Sequence, residues 1–120
     1  DDLLAVRVNN MLGLLFYKNG VYAQAASYFA AATDARAALG ECDESLPFGT
    51  LFGNLALALS HDGRKEKAKE ILADGMTAIL LNRKTETDDG LKHFLNTYLG
   101  IDPNMAKKLI EFSIKLRDPR

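Results

Sequence analysis

The chain has 120 residues, 48% hydrophobic and 26% charged, with a formal net charge of -1. That is the size of one domain with enough apolar residues for a core. The near-neutral balance argues against a dominant nucleic-acid or polyanion surface, which needs excess Lys and Arg, and leaves only local patches open.

Ile and Val are sparse, Ala and Leu abundant, and strict alternation is absent, so strand signals are poor. Helical spacing recurs instead. Leu4, Val8, Leu12, Leu15 and Phe16 predict a first helix over about residues 2–18. Asn19-Gly20 is its stop and turn. A second helix is expected from about Val21 to Leu39, with Ala25, Phe29 and Ala32 on one face, and Gly40 ends it. Residues 40–49, GECDESLPFG, read as a loop. A third helix is expected from Thr50 to Ser60, closed by His61-Asp62-Gly63. A fourth runs from about Arg64 to Leu81 on Ala68, Ile71, Leu72, Ile79 and Leu80. Gly75 inside it costs about 1 kcal/mol relative to Ala, which points to close packing against another helix. Residues 82–90 read as a polar connection. Leu91, Phe94, Leu95, Tyr98 and Leu99 mark a fifth helix ended by Gly100, and Asp102-Pro103 reads as the N-cap and first position of a sixth.

The single cysteine, Cys42, allows no intrachain disulfide and fits a reducing, cytoplasmic setting. No apolar run approaches the roughly 18 residues that a bilayer span needs. The start, DDLLAVRVNN, lacks the basic and apolar regions of a signal peptide. Both ends read as those of a fragment from a longer protein.

The helix pairs repeat. Leu12, Gly13 and Phe16, then Gly20, Ala25, Phe29 and Ala32, return as Leu55, Ala56 and Leu59, then Gly63, Ala68, Leu72 and Gly75, each 43 residues on. Small residues let two helix axes approach to the short end of about 8–10 Å. Gly20 and Gly63 suit a left-handed turn backbone. No glycine belongs to a phosphate-loop pattern.

This pattern resembles the tetratricopeptide repeat. It covers residues 6–39 and 49–81, with residues 88–117 as a degenerate or capping third unit. The 43-residue period and the junction Leu39-Gly40, Pro47, Asn54-Leu55-Ala56 are similar to the kinesin-light-chain-type subclass. The chain departs from it where no His precedes Pro47 and where the loop is about two residues longer. The resemblance implies an all-α, right-handed solenoid of antiparallel hairpins, about six helices in one domain. Its first helices would line a concave groove for a peptide or a partner helix.

Carried over residue by residue, the groove candidates are Arg7, Asn10, Leu14, Tyr17, Lys18, Thr50, Asn54, Leu57 and His61. An Asn side chain both donates to and accepts from a peptide backbone, but it equally bonds a neighbouring helix or water. A carboxylate clamp is not expected, because Leu14 stands where a polar amide is wanted.

Other residues read as structural. Cys42 lies in an acidic loop, which disfavours a thiolate. His61 and His93 are far apart and lack partners at metal-ligand spacing. The run RKEKAKE mixes signs and reads as a solvated face. Lys107, Lys108, Lys115 and Arg117 make the last helix basic. The pairs Asp43-Glu44 and Asp88-Asp89 are expected in loops, with nothing arranged for acid-base work. The expectation is a non-catalytic module with no cofactor and no metal. Its partner would be a protein or peptide, not nucleic acid or membrane. The alternative is a scaffold or self-association unit, with Phe112 and Ile114 exposed on the last helix.

Overall fold

A computed structural model describes residues 1–42 and 44–118. Among them six α-helices follow in order: α1 Asp2–Lys18, α2 Tyr22–Ala38, α3 Phe48–His61, α4 Lys65–Leu81, α5 Asp88–Ile101 and α6 Ala106–Arg117. The described residues contain no strand. No helix among them is long and apolar enough to cross a membrane.

The first two helix pairs close with the same turn. At the end of α1, the Val21 amide donates to the Phe16 carbonyl and the Gly20 amide to that of Tyr17. At the end of α3, the Arg64 amide donates to Leu59 and the Gly63 amide to Ser60. These paired bonds reclaim carbonyls that a helix end leaves unsatisfied, and they need a left-handed residue. Gly20 (φ 75°) and Gly63 (φ 81°) supply it. α1 is also capped at its start, where the Asp1 carboxylate accepts from the Leu4 amide at 2.8 Å.

Within the first two pairs the helices meet at small residues. A Cβ on Gly13 would lie 2.5 Å from the Phe29 ring. Ala25, Ala56 and Ala68 are wholly buried. α3 is the central element: it packs on α2, α4 and α5, and 10 of its 14 residues are buried. Phe29, Leu55, Leu72, Phe94, Ile101 and Phe112 belong to one hydrophobic core that runs from the first pair to the last.

Several boundaries differ from the sequence reading. α3 starts at Phe48, not Thr50, because Pro47 stands at its N-cap with an extended backbone and the helix begins at once. α5 does not end at Gly100. It continues to Ile101, and Asp102 leaves the helix (φ -136°, ψ 81°) ahead of Pro103, which disfavours the helical region for the residue before it. Pro103–Met105 form a 3₁₀ turn, and α6 proper begins at Ala106; the Asp102 side chain makes no capping bond. The 82–90 connection contains a 3₁₀ turn at Arg83–Thr85. Asp88 and Asp89 are in the first turn of α5, where they complement the helix dipole, and Thr87 caps that turn by accepting from the Gly90 amide at 3.0 Å. Phe112 is 2% exposed and belongs to the core, because it packs on Phe94, whereas Ile114 is exposed as expected. Asp43 lies outside the described residues.

Arg36 and Glu86 are features the sequence reading did not raise. Arg36 is 1% exposed. Its Nε donates to the Leu46 carbonyl at 3.1 Å, Nη1 to the Gly40 carbonyl and Nη2 to Thr85 Oγ1 at 3.2 Å. Its guanidinium carbon lies 4.5 Å from the centre of the Phe48 ring. One side chain thus ties the end of α2, the 40–47 loop, the start of α3 and the turn before α5. Glu86 Oε1 accepts from the Gly49 amide at 3.3 Å, and burial pushes its carboxyl above the ordinary value, against the pull of that amide and of Arg36.

The glycines of α3 and α5 give a paired test. A Cβ on Gly49 would strike the Gly90 backbone and Glu86, whereas one on Gly100 meets open space. Gly49→Ala is expected to lower unfolding stability by about 2–3 kcal/mol, as overpacking against backbone does. Gly100→Ala is expected to raise it by about 0.5–1 kcal/mol through helix propensity. Urea unfolding midpoints of the two variants check both signs.

Candidate functional site

Three helices meet along one buried polar line. Asn54 on α3 donates through Nδ2 to Asn10 Oδ1 on α1 at 3.0 Å. Its Oδ1 lies 2.9 Å from His93 Nε2 on α5. An amide oxygen only accepts, so the imidazole donates from Nε2. Asn10 and Asn54 are buried, and His93 is half-buried. Desolvation holds the His93 pKa below its ordinary value, so the neutral ring is the resident form.

The geometry of α3 makes this line possible. Gly53 precedes Asn54, and a Cβ there would lie 2.6 Å from the His93 ring. Gly49, one turn earlier, faces Gly90 in the same way. With no side chain at either position, α5 comes close enough for the histidine to reach across to the asparagine.

Of the nine groove candidates, four surround one small cavity. Leu14, Tyr17, Asn54 and Leu57, with Phe29 beneath, line a space of about 30 Å³. That is room for about one water molecule. Beside it Tyr17 meets Tyr22 and His61, with ring centres 5.4 and 5.5 Å apart, and Tyr22 stacks on His61 at 4.9 Å. Burial pushes the Tyr17 hydroxyl pKa up, with Tyr22 adding to it. Arg7 and Lys18 are exposed on α1, and Thr50 is partly buried on α3; none of the three lines this cavity. Asn10 is engaged with Asn54, and both polar atoms of Asn54 are used within the fold. The two asparagines therefore join helices, which is the neighbouring-helix alternative noted for them above, and an incoming peptide would have to displace those bonds.

In the sequence His93 stands as an isolated histidine. Its signal in the sequence was the spacing from Gly90, which places both on one face of α5. A second and larger groove lies between α5 and α6, about 470 Å³, lined by Leu95, Leu99, Leu109, Ile110 and Ile114 with Arg117 at one end. Among the described residues no group of three or more His, Cys, Asp or Glu is placed to hold a metal ion.

Comparison with family models, with curated proteins and with solved structures gives no match. The functional reading therefore rests on the residues themselves.

Two measurements follow from the polar line. Asn54→Ala strands Asn10 and His93 in a desolvated site and is expected to cost about 1–3 kcal/mol of stability, read by chemical denaturation. His93 has a folded pKa depressed below its unfolded value of about 6.5, so its contribution is fully present above that value. It is lost as the pH falls through the depressed folded pKa. The stability difference between the natural chain and His93→Gln should be flat above about pH 6.5 and shift against the natural chain on acidification. A difference independent of pH would count against a neutral, buried His93.

Proposed function

We propose that this chain is a non-catalytic interaction module, a right-handed stack of tetratricopeptide-type helix hairpins that binds a peptide segment or partner helix on the face formed by its first helices. The observation that carries this reading is the polar line Asn10–Asn54–His93. It links α1, α3 and α5, the first helix of each successive pair, and so favours a shared face across the pairs. The 43-residue register and the identical glycine turns of the first two pairs support the repeat reading.

On that reading the asparagines align the helices, and contact with the partner falls to the residues around them. Leu14 and Leu57 offer apolar surface beside the small cavity, while Tyr17 and His61 offer rings with polar edges. Arg7 and Lys18 add positive charge on α1, and Thr50 a hydroxyl on α3. A partner of this kind would present one or two apolar side chains on an extended or helical backbone.

The test is selection of binders from a random displayed peptide library on the immobilised chain. Affinities are then measured for Leu57→Glu and for Lys69→Glu, the latter on α4 outside the candidate set. Leu57→Glu is expected to weaken the selected peptides at least tenfold, about 1.4 kcal/mol, with the fold retained by circular dichroism. Lys69→Glu should bind as the natural chain does. Equal losses in both variants, or none in either, would move binding away from this face.

A further inference from the structure

The 43-residue register also runs along an outer face of α1. Leu4, Val8, Met11 and Leu15 on α1 correspond to Pro47 at the N-cap of α3 and Leu51, Asn54 and Ala58 on it, and then to Gly90, Phe94, Thr97 and Ile101 on α5. Every member of the second and third sets is buried, and every member of the first is exposed. The buried sets seat one helix pair on the one before it. Leu51 packs with Val6 of α1 and Ala32 of α2. Asn54 bonds Asn10 of α1, and Phe94 abuts Gly75 of α4.

The receiving side follows the same register. Asn10 on α1 takes the Asn54 amide, and 43 residues on Gly53 takes the His93 ring. A further 43 residues leads to Asn96, which is exposed and lines the groove between α5 and α6. That groove is apolar, with Leu99, Ile110 and Ile114 exposed along it. One end of the molecule thus carries an unoccupied seat, and the other carries the face that fills such a seat twice within the chain.

We propose that α1 of one copy docks in the α5–α6 groove of a second copy, so that the chain associates head to tail. Charge favours this occupant. α3 begins beside the end of α2, where Arg36 covers Phe48. The same placement sets the exposed Asp1 and Asp2 at the start of the incoming α1 against the exposed Lys115 and Arg117 at the end of α6. The contact is heterologous, joining different surfaces of the two copies, so it leaves a free seat and a free face at the ends of each assembly and permits growth beyond a dimer. The proposal rests on the hairpin register and not on peptide binding.

Sedimentation equilibrium over a concentration series tests it. The mass of the natural chain is expected to rise with concentration past that of a dimer. Met11→Glu removes the inserting face, and Ile110→Glu removes the groove; these positions are 61% and 62% exposed. Each variant alone should stay monomeric. An equimolar mixture should form a species of two chains and no larger, because one intact face then meets one intact groove. A monomeric natural chain at every concentration overturns the proposal. Loss of association in Met11→Glu but not in Ile110→Glu also overturns it, since that outcome marks a symmetric α1–α1 contact. Circular dichroism checks folding, with Leu15→Glu and Ile114→Glu as second variants for the two faces. Peptide affinities of the same variants separate this outcome from failure of the groove reading.

Discussion

The close approach of α3 and α5 is the constraint on which the rest of the arrangement depends. Two glycines one turn apart, Gly49 and Gly53, turn toward the Gly90 backbone and the His93 ring, and a methyl group at either position would collide. Once the axes are this close, Asn54 lies within hydrogen-bond reach of both Asn10 and His93. The polar line then works as a gauge. Burying an amide or imidazole without a partner costs free energy, so helices displaced along their axes would leave these groups unpaired. Apolar packing supplies attraction without direction, and the three polar groups supply the register.

A second fixing point lies at the start of α3, where Arg36 of α2 covers Phe48. A buried guanidinium is tolerated only where its donors find acceptors, and Arg36 finds two carbonyls, a threonine hydroxyl and an aromatic face. These partners come from three separate segments, so the charge holds the 40–47 loop, the start of α3 and the turn before α5 against α2. Glu86 lies close by with its Oε1 on the Gly49 amide. The start of α3 is therefore held on one side by Arg36 against Phe48 and on the other by Glu86 against Gly49. That leaves its later residues, Asn54 and Leu57, in a defined position at the candidate site.

Much of this was legible in the residues. Apolar periodicity gave six helices, and Gly20, Gly40 and Gly63 stand in the left-handed turns that their sequence context suggested. Gly75 does meet another helix, through the Phe52 and Phe94 rings. Gly100 misled because a glycine marks a helix end only where the backbone turns left-handed, and here Pro103 sets the end. Arg36 was hidden because an arginine ordinarily signals solvent; only its spacing from Phe29, Ala32 and Thr33 places it on the buried face. His93 was hidden because its partner lies 39 residues away on another helix.

Local chemistry thus determined the elements: where the chain coils, where it turns, and which face of each helix is apolar. These follow from nearest-neighbour backbone preferences and from 3.6-residue spacing, both written within a few residues. Tertiary structure alone decided which polar groups are spent inside the fold and which face outward. Asn10 and Asn54 look like surface amides in sequence and become a joint between helices. Leu4, Val8 and Leu15 follow the apolar period of α1 and yet lie exposed. The reason is physical: burial belongs to a pair of surfaces, and the second surface of each pair is contributed by a distant part of the chain.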